Sequence, residues 1–262
     1  MKNNQSPIIS VITCTFNSEK YLLRALESVE NQTYQNIEHI INDSYSNDKT
    51  LEIIQAYQER VQNKYPIKII KSNPKGVGNA LNFATQHASG DIIHYLHSDD
   101  YYLNPQSLEK VAQKFIENPE LVWLTGNFLI ELKGRTIVLR QTYLLKLNIN
   151  TALSMMNFIS HENTFMRREF VEKYGGFTES KEEVVEYRLW LKLIKDHRPL
   201  VVNDEFTVFI VHKGSTSTGS PIKFSKALLR AFKTQRKEKI FPLIGYYADN
   251  YLYQQIKSLI RL

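Results

Sequence analysis

The sequence predicts an α/β fold with a mainly parallel central sheet flanked by helices and a basic helical extension at the C-terminus. Three observations carry that prediction. Apolar, β-branched runs alternate with amphipathic helical stretches from residue 8 to residue 125, joined by short connections, the signature of right-handed β-α-β crossovers. One run, Ile92 to Leu96, leads into adjacent carboxylates, Asp99 and Asp100, and ligands of open α/β sheets sit outside the carboxyl ends of the strands. Residues 222–262 hold nine Lys or Arg against two acidic residues, so the formal charge of +6 belongs to that end and the rest is nearly neutral.

Each element has its own reason. Ile8 to Cys14 is a compact apolar strand. Asn17 or Ser18 can cap the next helix, whose apolar face is Leu22, Ala25, Leu26 and Val29. Ile37 to Ile41 is a second buried strand ending at Asn42 and Asp43. Asp48 is a good N-cap for a helix with Leu51, Ile54, Tyr57 and Val61 on one side. Ile67 to Ile70 is a third strand, and Gly76 to Ala88 reads as helix until Gly90 breaks it. Pro105 opens a helix, where its missing N–H costs nothing, and Leu121 to Thr125 is strand again.

Beyond residue 126 the alternation stops. Phe128–Leu132 and Thr136–Leu139 flank Lys133-Gly134 as a hairpin. Phe165 to Lys173 reads as a helix stopped by Gly175-Gly176, and Val185 to Ile194 as an amphipathic helix carrying Trp190. Glu182 and Glu183 read as a solvated loop before it. Leu200–Asn203 and Phe206–Val211 are late strands. The basic stretch 222–239 reads as helix, with Pro242 before a Tyr-rich end, which puts a soft boundary near residue 221.

Composition narrows the function classes. With 42% hydrophobic and 23% charged residues the chain is an ordinary globular protein, large enough for one α/β domain with an appendage. The neutral body argues against nucleic acid as a partner, and the basic stretch suits an anionic membrane surface. Cys14 is the one cysteine, which fits a reducing compartment, and neither a signal peptide nor a spanning apolar run is expected. A cytoplasmic protein, peripheral on the inner membrane face, is the expectation. The first strand lacks a following G-x-G-x-x-G, and Lys75-Gly76-Val77-Gly78 lacks the P-loop spacing.

The carboxylates indicate a chemistry. Two neighbouring carboxylates do not both stay ionised cheaply unless something positive joins them, and Mg²⁺ binds one or two carboxylates together with substrate phosphates. Several further stretches follow in order: Ser10 to Asn17, Asn42 to Asp48, His97-Ser98-Asp99-Asp100, Gly175-Gly176-Phe177, Glu186-Tyr187-Arg188-Leu189-Trp190, and His212 to Ser217. From about residue 8 to residue 217 the chain resembles glycosyltransferase family 2, whose Rossmann-like architecture is the GT-A fold.

The resemblance implies an inverting transfer of a hexose or N-acetylhexosamine from a UDP-sugar, with Mn²⁺ or Mg²⁺, to a polysaccharide or lipid-linked saccharide. It implies a nucleotide-sugar half over about 8–126 and an acceptor half over about 127–221. By resemblance Cys14, Thr15, Phe16 and Asp43 hold the nucleobase, Asp99 the ribose, and Asp100 the metal, with Asn79 and His212 also on the donor side. Glu186 matches the position of the catalytic base, and His161, Glu162 and Trp190 are acceptor-side candidates. The family usually has Pro at Cys14, Asp at Asn42, Asp or Arg at Asn79, and an acidic residue at Val185. Two rivals stay open at the level of sequence: a nucleotidyltransferase, disfavoured by Asn17-Ser18-Glu19 after the first strand, and a non-catalytic sugar- or lipid-binding module.

Overall fold

In a computed structural model the chain is described for residues 6–132, 134–139, 142–155, 157, 159–212, 230–231 and 233–238. The predicted alternation is present. Strands β1 (Ile9–Thr15), β2 (Ile37–Asp43), β3 (Ile67–Lys71) and β4 (Ile92–Tyr95) pair in parallel, separated in sequence by helices α1 (Leu22–Glu30), α2 (Thr50–Val61) and α3 (Val77–Thr85). A two-residue strand β5 (Tyr101–Tyr102) follows the paired aspartates, then α4 (Ser107–Glu117) and β6 (Trp123–Thr125). The hairpin is β7 (Phe128–Leu132) and β8 (Arg135–Leu139). Helix α5 (Thr142–Met155), a 3-10 turn over His161–Asn163, β9 (Thr164–Arg167), α6 (Arg168–Lys173), α7 (Tyr187–Asp196), β10 (Leu200–Val201) and β11 (Thr207–Val211) complete the order.

The main sheet has seven strands in the order β10-β6-β9-β4-β1-β2-β3, and a second sheet has four in the order β5-β11-β7-β8. Side chains of a strand alternate between faces, and here that alternation feeds two cores. Ile9 and Val11 of β1 pack with α1, α2 and α4, whereas Ile12 packs on the other face with α3, α5 and α7. Ile37 and Ile41 against Ile40, and Ile92 against Ile93, split the same way.

Several expectations need correction. Residues 164–167 are not the start of a helix but a strand inserted antiparallel between β4 and β6, so the sheet is mixed and α6 starts only at Arg168. Phe165 stacks on His94 with ring centroids 4.0 Å apart, burial that a helix there would not give. Neither Asn17 nor Ser18 caps α1 with its side chain; Tyr21 precedes the helix, and Asn17 instead takes a left-handed φ of 50°. Asp48 sits one residue before the cap of α2 but still accepts the Thr50 N–H at 3.0 Å. Helix α3 ends at Thr85 rather than Ala88, and α4 starts two residues after Pro105. Glu183 is not solvated: it is 2% exposed.

Candidate active site

The C-terminal ends of β1, β2 and β4 meet in one place, held by hydrogen bonds between their loops. Thr15 Oγ1 donates to Asp43 Oδ1 at 2.9 Å, and Asp43 also accepts from Ser46 N (2.9 Å) and Ser46 Oγ (2.6 Å). Asp43 is fully buried, so its carboxylate pins the loop after β2. Asn17 N donates to Ser46 Oγ and Asn17 Oδ1 accepts from Asn47 N, both at 2.9 Å, which ties the β1 loop to the β2 loop. Phe16 and Tyr45 stand out from these loops, each 57% exposed. Cys14 is packed beneath them, and burial pushes its thiol up to about 12, so it stays protonated and unreactive. Asn42 donates to Ser72 Oγ (2.9 Å) and to Ala80 O (3.0 Å), fastening β2 to α3; an aspartate there could donate neither bond.

The β4 end carries the paired aspartates. Asp99 is partly exposed and its Oδ2 lies 2.9 Å from His212 Nε2; the His212 ring in turn lies 4.4 Å from that of Tyr21, centroid to centroid. Asp100 is 1% exposed, and its Oδ1 accepts from Ile210 N of β11 at 3.0 Å, while Oδ2 is buried with no hydrogen-bond partner among the described residues. Burial first, then the charges of Asp99 and Glu162, hold the Asp100 carboxyl well above the usual carboxylate range. An orphaned buried carboxylate oxygen beside a second carboxylate is a donor set that fits a hard divalent cation. Among the described residues, no group of three or more His, Cys, Asp or Glu is arranged to hold an ion by itself.

Glu186 lies just before the first turn of α7, and Asn157 Nδ2 donates to its Oε1 at 3.0 Å. Burial, with a smaller push from Glu162, raises its carboxyl to about 7. Glu162 therefore acts electrostatically on both Asp100 and Glu186. It is fixed from below: its backbone carbonyl accepts from Thr207 Oγ1 at 2.5 Å and lies 2.9 Å from His94 Nε2, and its Oε2 accepts from Ser160 Oγ at 3.1 Å.

Three of the expected site residues make their contacts within the protein. Trp190 is fully buried and stacks on Trp123 with centroids 5.4 Å apart, so it is core and no acceptor platform. His161 is 5% exposed among Tyr95, Phe177 and Trp190, with its Nε2 unpartnered, and forms floor beneath the partly exposed His97 rather than a loop contact. Asn79 turns to Glu179, donating to its Oε2 at 3.1 Å. Missed by the sequence reading were Ser46, Asn157 and Tyr21, none of which carries a local signal beyond lying in or beside a polar loop. A cavity of about 340 Å³ between α5 and the 198–201 stretch is lined by none of the site residues. No helix among the described residues is long and apolar enough to cross a membrane.

The model of one family, "Glycosyl transferase family 2", matches residues 10–175, well over half of the chain. The chain belongs to glycosyltransferase family 2. The chain is 31% identical over 188 residues to a chondroitin synthase of Escherichia coli, matching 71% of its own length but only 26% of that relative. It is 28% identical over 249 residues, 93% of both chains, to the Escherichia coli enzyme described as UDP-Glc:alpha-D-GlcNAc-diphosphoundecaprenol beta-1,3-glucosyltransferase WfaP. Among solved structures, S. aureus TarS 1-349 in complex with UDP-GlcNAc aligns with a TM-score of 0.67 at 24% identity, over 89% of this chain and 66% of that one. The mannosyltransferase PcManGT from Pyrobaculum calidifontis, in complex with GDP-Man and Mn²⁺, aligns with a TM-score of 0.70 at 19% identity, over 89% and 65%. The chain thus has the GT-A fold, as the resemblance implied.

Proposed function

We propose that the chain is a metal-dependent, inverting hexosyltransferase that moves a hexose or N-acetylhexosamine from a UDP-sugar to a hydroxyl of a polysaccharide or lipid-linked saccharide. The observation that carries this reading is the carboxylate axis from Asp100 through Glu162 to Glu186, with a free buried oxygen at one end and a carboxyl raised to about 7 at the other. The lipid-linked acceptor of the glucosyltransferase that matches over 93% of both chains supports the acceptor class, and the UDP-GlcNAc bound by TarS supports the donor.

Asp100 would hold the cation, with Asp99 beside it turned to the ribose and kept in place by His212. When bound, the cation supplies positive charge for the diphosphate leaving group. The chain's own residues do the rest. The acceptor hydroxyl gives its proton to the Glu186 carboxylate while its oxygen bonds the anomeric carbon. The bond from that carbon to the diphosphate breaks on the opposite face, through an oxocarbenium-like state, and the configuration inverts. A base near 7 is matched to this task, since about half of it is ionised near neutral pH and the ionised form readily accepts a proton. Phe16 offers an exposed ring for the base to stack on, and a uracil N–H would take the place of the Ser46 hydroxyl on Asp43. We place the enzyme in the cytoplasm, with the basic stretch 222–239 meeting anionic lipid at the inner membrane face.

A panel of nucleotide sugars scored by thermal shift tests the assignment, because a bound ligand stabilises the folded state in proportion to its occupancy. UDP-sugars with Mn²⁺ should give the largest shifts, and Glu186→Gln should keep them while cutting sugar transfer by about 10²-fold or more. Near-normal transfer by Glu186→Gln would move the base, with Glu162 the next residue to test. His161 is the weaker choice, because burial and the neighbouring His97 and His94 hold its imidazole well below its ordinary range.

A further inference from the structure

The segment from Phe177 to Glu186 has no helix or strand of its own, yet it carries the proposed base. Two separate elements grip it. On one side is α3. Asn82 Oδ1 accepts from Phe177 N at 2.9 Å and Asn82 Nδ2 donates to Phe177 O at 3.0 Å, so one side-chain amide pairs both backbone groups of a residue as a neighbouring strand would. The approach is close. A Cβ on Gly78 would lie 2.2 Å from Thr178 O, and one on Gly176, at a left-handed φ of 64°, would lie 2.4 Å from Asn82 Oδ1. On the other side are the described residues of the stretch 230–238. Thr234 Oγ1 accepts from Val184 N at 3.1 Å, and Lys237 Nζ reaches the Glu183 carboxylate, which is 1% exposed. Between the two grips, Thr178 N donates to Val185 O at 3.2 Å, closing the loop one residue before Glu186.

An irregular segment left free would spread over many backbone conformations, and displacement of a reacting group by about 1 Å costs on the order of 10²-fold in rate. We propose that this two-sided grip sets the position of Glu186, with Asn82 of α3 and Thr234 of the C-terminal stretch as positioning residues. The donor-binding half and the basic extension thereby both act on the acceptor-side base. The proposal rests on Glu186 being that base.

The test compares Asn82→Ala, the near-isosteric Thr234→Val and Glu186→Gln in the full chain. In both positioning variants kcat for transfer should fall by about 10-fold or more while UDP affinity stays within about twofold, the pattern of an interaction felt only in the transition state. The rising limb of the pH profile should also move. The groups set against Glu186 are the Glu162 carboxylate and the Asn157 amide, and a shifted loop changes its distance to both. A merely structural role would lower the melting temperature and leave that limb in place. Hydrogen exchange gives a readout independent of the chemistry: amides of residues 177–187 should exchange at least about tenfold faster, with those of α1 and α2 unchanged. If Asn82→Ala does not fold, Thr234→Val carries the comparison. Unchanged kcat and pH limb in the variants, with Glu186→Gln inactive, would overturn the positioning role and leave the base in place. Full transfer by Glu186→Gln would overturn both, even with exchange accelerated.

Discussion

At the scale of single residues, the site is governed by two carboxyls, Asp100 and Glu186, that burial and neighbouring charge hold above their ordinary range. Burial, with a smaller push from the Glu162 charge, raises the carboxyl of Glu186 to about 7. Removing that negative charge stabilises the ionised form of Glu186. Glu162→Gln should therefore move the rising limb of the transfer rate to lower pH, which a pH profile of kcat measures; a limb that stays put would separate the two carboxylates electrically. Asp100 makes the complementary prediction. Asp100→Ala should abolish the gain in UDP affinity that Mn²⁺ or Mg²⁺ brings while leaving the fold intact, and calorimetric titration with and without metal reads it; equal affinity in the parent protein would remove the metal from the reading. The end of β4 just before the paired aspartates was legible in the sequence because the apolar run stops there. Glu183 was not, because its charge partner Lys237 lies more than fifty positions away and no local pattern links them. Trp190 was ambiguous for a different reason: an aromatic on an amphipathic helix reads the same whether it faces core or ligand, and only the stacking on Trp123 decides.

At the scale of elements, alternation and strand composition marked β1, β2, β3 and β4 and the helices between them, since each buries an apolar face at a fixed period. What escaped were elements set by tertiary pairing. Strand β9 is four residues long and exists because β4 and β6 leave a slot between them, and β5 is two residues paired to β11. The loops at the ends of β1 and β2 make the testable case. Phe16 is 57% exposed, so Phe16→Ala should cost little stability. If its ring stacks the base, the same change should weaken UDP binding by about 1–3 kcal/mol, the range for aromatic–base contacts. UDP should also bind tighter than GDP if Asp43 reads a uracil edge, as the family resemblance at that position implies. Tighter GDP binding in a competition titration would move the donor class, a live comparison given the GDP-Man bound by the structurally similar mannosyltransferase.

At the scale of the whole molecule, the charge is segregated toward residues 222–262, of which 230–231 and 233–238 are described; on a helix over 222–239, Phe224, Leu228, Ala231 and Phe232 would share one apolar face, of which Ala231 alone is among the described residues. Lys233 and Lys237 already reach Glu182 and Glu183. Membrane docking is thus better tested at Lys223 and Lys226. Their joint replacement by Glu should reduce flotation with anionic liposomes at low salt, each basic residue being worth about 1 kcal/mol near such a surface; undiminished flotation would place the contact elsewhere.

Deleting the extension is a different experiment, because contacts cross the boundary that the sequence suggests near residue 221. Ala231 is 6% exposed in the core. Gln235 Nε2 donates to Leu153 O at 3.0 Å and to the Tyr187 hydroxyl at 2.8 Å. Arg188 Nε donates to Glu238 at 2.8 Å, and Glu183 would lose Lys237. Breaking a buried pair by removing one partner costs about 3–5 kcal/mol, and the half-exposed Lys237 puts this case at the lower end. A chain ending at residue 221 should therefore be less stable by roughly 3 kcal/mol. Urea denaturation of the two chains measures it, and equal midpoints with equal slopes would mean that the fold is complete by residue 221. A destabilised truncation would instead make residues 230–238 part of the acceptor half, and its loss of activity would then report the base loop and not the membrane.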